Sequence, residues 1–133
     1  MSSNPAPAPI TPADEQRVLD SVPTGLLIAG QWRAAGSGDT LAVEDPATGG
    51  TLTEVADAGP DDARAALDAA AAVQEMWAAT APRERGEILQ RAATAMASRV
   101  DELALLMTLE MGKPLAESRA EIAYAAEFFR WFA

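Results

Sequence analysis

The sequence of 133 residues has no cysteine and no histidine, a single lysine (Lys113) and a single tyrosine (Tyr124). Without cysteine, the chain has no disulfide, no thiolate nucleophile and no cysteine-based metal site. Without histidine, it has no serine–histidine–aspartate relay and no imidazole base that titrates near neutral pH. A complete enzyme on this chain would have to work with carboxylates, hydroxyls and nine arginines, which excludes most familiar catalytic sites.

Basic side chains are also few, since 10 of them stand against 20 acidic ones and the formal net charge is -10. A nucleic-acid-binding surface needs a basic stripe that contacts phosphates, so this balance argues against a nucleic-acid partner. No run approaches the roughly 18 apolar residues of a membrane span. The N-terminus lacks the basic-then-apolar pattern of a signal peptide. We therefore expect a cytoplasmic protein without a membrane partner.

The chain changes character near residue 24. Residues 1–24 hold five of the nine prolines and only scattered apolar side chains, which predicts an extended tail. Three short β-prone runs follow, at residues 26–32, 41–43 and 52–55, and turn-forming Gly, Ser, Asp and Pro separate them. This pattern predicts a small antiparallel β meander at the start of a unit that covers residues 25–133.

From Gly59 onward the pattern is helical, and alanine, the best helix former, is dense there. Four helices are predicted, because Pro60, Pro82 and Pro114 each suit a first helical turn and another helix opens near Asp101. The third of them should end at Gly112, since glycine adopts the left-handed conformation without penalty. Apolar residues spaced three and four apart predict one buried face on the first helix, made of Ala63, Ala66, Leu67, Ala70, Val73 and Trp77.

The last helix is apolar nearly all round. Five of the seven aromatic residues lie in it, and between residues 122 and 133 only Glu127 and Arg130 are polar apart from the Tyr124 hydroxyl. We interpret Tyr124 as a core residue. A helix of this kind belongs inside a large protein. Neither a capping glycine nor a polar stop follows it, so we expect the chain to be cut from a longer one.

Two glycine-containing turns resemble nucleotide-binding loops only superficially. Residues 36–41 begin like the dinucleotide fingerprint, but Leu41 occupies the position of the third glycine and the stretch joins two strands rather than opening a helix. The Gly112-Lys113 pair is followed by Pro114 instead of Ser or Thr, which excludes a phosphate-binding loop of Walker type. We therefore expect no cofactor-binding residue in this chain.

The charged residues have structural interpretations. Asp61 and Asp62 suit the positive end of a helix dipole, and Lys113 suits the carbonyls at the end of the preceding helix. Glu117 and Glu121 lie one helical turn apart, where a cation site is conceivable but a solvated helix face is typical. A Schiff-base lysine would need a desolvated apolar pocket, which a Gly-Lys-Pro turn does not suggest. We assign no catalytic and no metal-binding residue.

Several stretches, in this order, resemble one family. They are residues 27–32, 45–49 and 53–55, the helix ending in Trp77, Pro82-Arg-Glu-Arg85 with Ile88-Leu89, and the Leu-Glu-Met-Gly-Lys-Pro-Leu motif at 109–115. Together they resemble the N-terminal part of the NAD(P)-dependent aldehyde dehydrogenase superfamily, over residues 25–133. Residues 105–117 and 121–133 are most similar to its succinate-semialdehyde dehydrogenase branch.

The resemblance implies an α/β parent fold in which the meander and helices belong to the cofactor-binding domain and a Rossmann-type sheet follows downstream. In the family a cysteine thiolate attacks the aldehyde, hydride passes to NAD or NADP, and water activated by a glutamate hydrolyses the thioester. Those motifs lie beyond Ala133. The resemblance thus implies an inactive fragment that binds no dinucleotide by itself, whose partner is the remainder of the dehydrogenase, with a homo-oligomeric full-length enzyme.

Two details of the family pattern bear on this chain. Some relatives hold a structural monovalent cation at positions that map to Glu44 and Glu110, largely through backbone carbonyls, so the resemblance does not assign these side chains as ligands. The family often has Ser or Thr before the proline that opens the second helix, where this chain has Ala81. The lost cap weakens that helix start unless Thr80 replaces it.

Two alternatives remain at the level of sequence. One alternative to a fragment is a stand-alone acidic interaction module that docks through its aromatic C-terminal helix. The other is one half of a split dehydrogenase that a second chain completes. The nucleotide sequence after codon 133 distinguishes these from a fragment. An in-frame dehydrogenase continuation with a cysteine indicates a fragment, whereas a stop followed by unrelated sequence favours the module.

Overall fold

The computed structural model describes residues 9–133, which form two β-hairpins and five helices. The predicted succession of a small antiparallel meander and helices is confirmed, with one helix more than expected. The elements are α1 (Pro12–Ser21), β1 (Leu26–Ile28), β2 (Gln31–Arg33), β3 (Thr40–Glu44), β4 (Thr51–Ala56), α2 (Pro60–Ala79), α3 (Pro82–Ser98), α4 (Val100–Met111) and α5 (Leu115–Phe132).

The additional helix, α1, lies in the segment predicted to be extended. Its start is a capping box, in which the Thr11 hydroxyl accepts from the Asp14 amide (3.3 Å) and the Asp14 carboxylate accepts from the Thr11 amide (3.0 Å). Pro12 occupies a first-turn position that favours helix initiation. The prediction of an extended tail over residues 1–24 is therefore wrong between Pro12 and Ser21. Residues 1–8 of that tail lie outside the described residues.

The strands form two separate antiparallel pairs, β1 with β2 and β3 with β4. The tight turn of the first hairpin places Ala29 and Gly30 at φ values of 52° and 77°. Left-handed backbone at both turn positions matches the twist of the flanking strands. In the second hairpin, Leu41 lies opposite Val55, and Gly49 takes the left-handed conformation at a φ of 73°.

Helices α3, α4 and α5 pack on one another, and α1 packs on α4. The interface between α4 and α5 contains a partly buried hydrogen bond of 2.9 Å between the hydroxyls of Thr108 and the fully buried Ser118. A methyl group at Gly86 of α3 would overlap the carbonyl oxygen of Ala133, so glycine allows this close approach. The buried apolar residues of these helices are Val18, Ala93, Ala104, Leu105, Ile122 and Ala126.

Helix α2 lies largely outside this packing. The face predicted to be buried is exposed, and Leu67, for example, is 69% exposed. Asp62 is the buried residue of the helix. The prediction of a buried apolar face on α2 is therefore wrong for this chain, because periodicity shows which side of a helix is apolar but not whether a neighbour covers it.

The junction between α2 and α3 lacks a side-chain cap at Ala81, as the family comparison of the sequence implied. Thr80 does not replace it, since its hydroxyl donates backward to the Met76 carbonyl at 3.0 Å. Arg85 instead donates to the carbonyls of Ala78 (3.1 Å) and Thr80 (2.7 Å). A side chain of α3 thus donates hydrogen bonds to carbonyls at the C-terminal end of α2. These hydrogen bonds connect the two helices.

Gly112 ends α4 in the left-handed conformation, as predicted, with a φ of 71°. The β3–β4 turn packs against it, because a Cβ at Gly112 would lie 3.1 Å from Cγ of Pro46. None of the helices within residues 9–133 combines the length and hydropathy needed to cross a membrane.

We expect Gly112→Ala to destabilise the fold by about 2 kcal/mol, since alanine pays for left-handed backbone and also meets Pro46. Gly49→Ala is the matched control, because Gly49 has a similar φ of 73° and no atom within 4 Å of a Cβ. It should cost about 1 kcal/mol. Urea unfolding of both variants measures the difference, and Pro46→Ala should remove the excess. Equal costs for the two variants would contradict this account.

Candidate functional site

Most of the charged residues considered for chemistry are exposed or paired with a neighbouring charge. Lys113 pairs with Glu121 of α5, so the prediction that it satisfies helix carbonyls is wrong. Glu117 is exposed, and so are Glu44 and Glu110. Within residues 9–133 no group of three or more Asp and Glu side chains is placed to hold a metal ion. The charged side chains therefore have structural roles where the structure gives them partners.

Asp62 is the most constrained of these charges. Its side chain is 8% exposed, and its carboxylate accepts from the amides of Gly36 (3.0 Å) and Gly59 (3.2 Å) and from Arg33 (3.2 Å). The Gly36 amide, followed by the Gly59 amide and the Arg33 charge, holds the pKa of Asp62 below its ordinary value against the opposing effect of desolvation. The residue caps α2 and also ties it to the loop after β2.

The sequence predicts Asp62 at the positive end of the α2 dipole, but it does not predict the hydrogen bond from the Gly36 amide. The available signal was the spacing, because Asp62 stands three residues after Gly59 at the acidic position of a capping box. Asp61, its neighbour, points into solvent and pairs with Arg64. Only tertiary folding brings Gly36 to one of these two aspartates.

Three backbone amides of the loop after β2 donate to acceptors within the chain. The Gly36 amide is bound to Asp62, the Gly38 amide donates to the Ala35 carbonyl (2.9 Å), and the Asp39 amide donates to the Ser37 hydroxyl (3.1 Å). A phosphate would have to displace these internal acceptors and approach a buried carboxylate. The dinucleotide fingerprint relies on free amides at a helix N-terminus, whereas this loop connects β2 of the first hairpin to β3 of the second.

The most distinctive surface is the aromatic face of α5, which we define as Tyr124, Phe128, Trp131 and Phe132. These positions lie within one side of a helix. Trp131 is 81% exposed and Phe132 71%, and the four side chains with Glu127 line a shallow depression of about 350 Å³. The rings of Tyr124 and Phe128 meet edge to face, with centroids 4.9 Å apart.

The opposite side of α5 is buried against its neighbours through Ser118, Ile122 and Ala126. The helix is thus apolar on its packed side and on its open side, as the sequence predicted. The interpretation of Tyr124 as a core residue is wrong here, because its side chain lies on the open side and is exposed.

The Glu127–Arg130 ion pair borders the aromatic face. Arg130 Nε donates to both carboxylate oxygens of Glu127, at 2.9 and 2.8 Å. These hydrogen bonds lower the pKa of Glu127 and raise the pKa of Arg130, so both groups stay charged at neutral pH and their charges cancel. The face therefore has the character of an apolar docking surface rather than a centre of acid–base chemistry.

The sequence profile of the aldehyde dehydrogenase family matches residues 32–133. A succinate-semialdehyde dehydrogenase of Paenarthrobacter nicotinovorans is 60% identical over 81 residues, which are 61% of this chain and 18% of that protein. The NADP-dependent succinate-semialdehyde dehydrogenase GabD of Escherichia coli K12 is 47% identical over 107 residues, or 80% of this chain and 22% of that protein.

Solved structures of aldehyde dehydrogenases also superpose on this chain. The succinate-semialdehyde dehydrogenase of Burkholderia pseudomallei superposes with a TM-score of 0.76 at 44% identity, over 78% of this chain and 22% of that one. A betaine aldehyde dehydrogenase of Staphylococcus aureus, solved with NAD+, gives a TM-score of 0.87 over 90% of this chain and 24% of that one, and at 24% identity it supports the fold alone. The chain spans about a fifth of the length of these relatives. This chain belongs to the aldehyde dehydrogenase family.

Proposed function

We propose that residues 25–133 are the N-terminal part of the cofactor-binding domain of an NAD(P)-dependent dehydrogenase that oxidises succinate semialdehyde to succinate. The observation that carries the proposal is the identity of 60% and 47% to two succinate-semialdehyde dehydrogenases, in each of which the matched segment is about a fifth of the protein. By itself this segment is inactive. The cytoplasmic location and the homo-oligomeric state of the whole enzyme stay predictions.

The residues of this segment indicate which parts of the reaction it can contribute and which belong to the downstream part. The chain has no cysteine to form the covalent adduct with an aldehyde, and the amides of its loop after β2 are occupied internally. NAD(P), when bound, supplies the hydride acceptor, and the nucleophile and the glutamate that activates water belong to the downstream part. What this segment supplies is a rigid scaffold of hairpins and helices.

A chimera tests the proposal. Residues 25–133 replace the matched 107-residue segment of the E. coli enzyme, and NADP reduction is followed with succinate semialdehyde and with butanal. We expect an active chimera with the substrate preference of the E. coli parent, because the groups that recognise the carboxylate are proposed to lie downstream. The isolated chain, in large excess, should give no turnover and should not bind NAD or NADP in a calorimetric titration. A folded but inactive chimera would argue against the proposal.

A stand-alone interaction module is the second candidate, and the exposed aromatic face of α5 is the observation that favours it. A stand-alone module is not expected to support dehydrogenase activity when it replaces a segment of that enzyme. The activity of the chimera therefore distinguishes the two candidates.

A further inference from the structure

Helix α1 lies at the edge of the helical packing and is held there mainly by one neighbour. It packs on α4, whereas α3, α4 and α5 pack on one another. Val18, which is 4% exposed, is the one buried residue of α1. A helix with so few buried apolar contacts opens locally at a lower free energy than helices that share a core.

The interface between α1 and α4 is only partly filled. A groove of about 710 Å³ lies between α1 and the start of α4. The arginines that line it pair within their own helical segments, Arg17 with Asp14 of α1 and Arg99 with Glu102 of α4. Moving the two helices apart therefore leaves both ion pairs intact, and few packed atoms resist the movement.

A side-chain hydrogen bond also connects the two helices. The Ser21 hydroxyl lies 3.2 Å from the Glu102 carboxylate and 2.7 Å from the carbonyl oxygen of Val18 in its own helix. A hydroxyl has one proton to donate, so the two acceptors share it. The contact with Glu102 is therefore a weak link, which opening breaks and closing restores.

The chain between α1 and β1 has the geometry of a hinge. Val22 ends α1 in extended backbone, with a φ of -89° and a ψ of 123°, and Pro23 cannot continue the helix. Thr24 is fixed, since its carbonyl oxygen accepts from the Ala56 amide of β4 at 2.8 Å. Changes in the backbone angles at residues 22–23 are therefore sufficient to swing α1 while the hairpins stay in place.

We infer that α1 is a hinged strap, which opens from α4 and closes again as a unit while α3, α4 and α5 keep their packing. The hinge is residues 22–23. Val18 and the link from Ser21 to Glu102 hold the strap closed. Opening widens the groove and uncovers Leu105 on its α4 side, which is 6% exposed in the closed form. The fold thus contains an apolar surface whose accessibility changes without unfolding of the other helices.

Hydrogen exchange, resolved by peptide, measures this opening. The whole chain is studied alone and also joined to the part of the E. coli dehydrogenase that follows the matched 107-residue segment. We expect the amides of α1 to exchange at least about tenfold faster than those of α4, yet slower than in an unstructured peptide. The α1 exchange should also depend less on urea, because a local opening exposes less surface than unfolding of the bundle.

Two substitutions of buried residues separate local opening from unfolding of the whole bundle. Val18→Ala should accelerate the α1 exchange roughly tenfold, since the closed strap loses its buried side chain. Ile122→Val is the control, because Ile122 is also buried, at 8%, but lies on α5. It should accelerate the α4 exchange about threefold or more and leave the α1 exchange unchanged, since the packing of Ile122 persists when the strap opens.

A second pair of variants tests the link to Glu102. Ser21→Ala should accelerate the α1 exchange by about two- to fivefold. Ser98→Ala should leave it unchanged, because the Ser98 hydroxyl donates to the Ala95 carbonyl at 2.9 Å within its own helix. The loss of a hydroxyl bond to a carbonyl three residues earlier is thus matched, and the contact with the neighbouring helix is not.

Four results would overturn the inference. Equal exchange rates and urea dependence in α1 and α4 would show a single cooperative unit. Exchange of α1 at the rate of an unstructured peptide would show that it does not dock, and an unprotected α4 in both polypeptides would leave no bundle to open from. Acceleration of α1 by Ile122→Val as large as that by Val18→Ala would show that the opening is not local. Where the two polypeptides differ, the joined one decides, because its helices have their downstream neighbours.

Discussion

Raising the salt concentration is expected to drive the isolated chain from monomers to dimers and larger species, and Trp131→Gln with Phe132→Gln is expected to reverse this. The roughly 500 Å² of apolar surface on the aromatic face corresponds to about 10 kcal/mol of gross burial. Association costs of about 4–15 kcal/mol offset most or all of it. The favourable burial and the cost of association are therefore similar in size, so charge repulsion decides whether the chain associates.

Charge sets the direction of the salt effect. Copies with a net charge of -10 repel one another over a Debye length of about 10 Å at 0.1 M salt and about 3 Å at 1 M. Screening thus removes the repulsion while leaving the apolar attraction. Sedimentation velocity over roughly 0.05–1 M salt, the range in which screening changes most, measures the mass of the species.

One control variant identifies the surface responsible. Trp32→Gln removes an exposed tryptophan outside α5 and should leave association unchanged. Phe129→Gln is less informative, because Phe129 is more buried than its aromatic neighbours in α5 and does not line the depression. A chain that stays monomeric at every salt concentration would show that the aromatic face does not drive association.

Removing the Asp62 carboxylate is expected to cause a larger loss of stability than removing an exposed charge, because the Asp62 side chain is buried. Asp62→Ala leaves the amides of Gly36 and Gly59 and the guanidinium of Arg33 without their shared acceptor. We expect the midpoint of thermal unfolding to fall by about 5–10 °C. Asp61→Ala is the matched control, because Asp61 is 97% exposed and should change the midpoint by no more than about 2 °C.

The pH dependence provides a separate check. The pKa of Asp62 is below its ordinary value of 3.8, chiefly because the Gly36 amide donates to the carboxylate. The carboxylate form is therefore favoured by folding, and its contribution is complete above the ordinary pKa and is lost as pH falls through the folded pKa. The difference in unfolding midpoint between the wild type and Asp62→Ala should be constant near neutral pH and shrink in acid. A difference that persists unchanged in acid would exclude this ionised role.

Local signals in the sequence were sufficient for most helix boundaries. Pro60 and Pro82 begin helices, and Gly112 ends one, because fixed proline geometry and left-handed glycine act within one turn of the chain. The same reasoning applied to α1 would have found it, since Thr11, Pro12 and Asp14 form a capping box within four residues. The prediction of an extended tail rests on the proline content of residues 1–24 and does not use this local cap.

The family could also be identified from the sequence alone. The motifs at residues 27–32, 45–49 and 109–115 include turn residues whose chemistry is local, and Gly49 and Gly112 adopt the left-handed backbone that glycine permits. Their order along the chain carried the resemblance that the family profile over residues 32–133 confirmed. An ordered set of such motifs is a property of the chain itself and needs no tertiary contact.

Reasoning from the sequence alone therefore predicted the order of the elements after α1, the glycine end of α4 and the apolar character of α2 and α5. Which apolar side is covered was decided only by tertiary structure, since Ile122 is buried while Trp131 is open on the same helix. The partners of Asp62 and Lys113 were decided in the same way. The physical reason is range: capping and periodicity act over a few residues, whereas burial and ion pairing depend on which distant segments fold against one another.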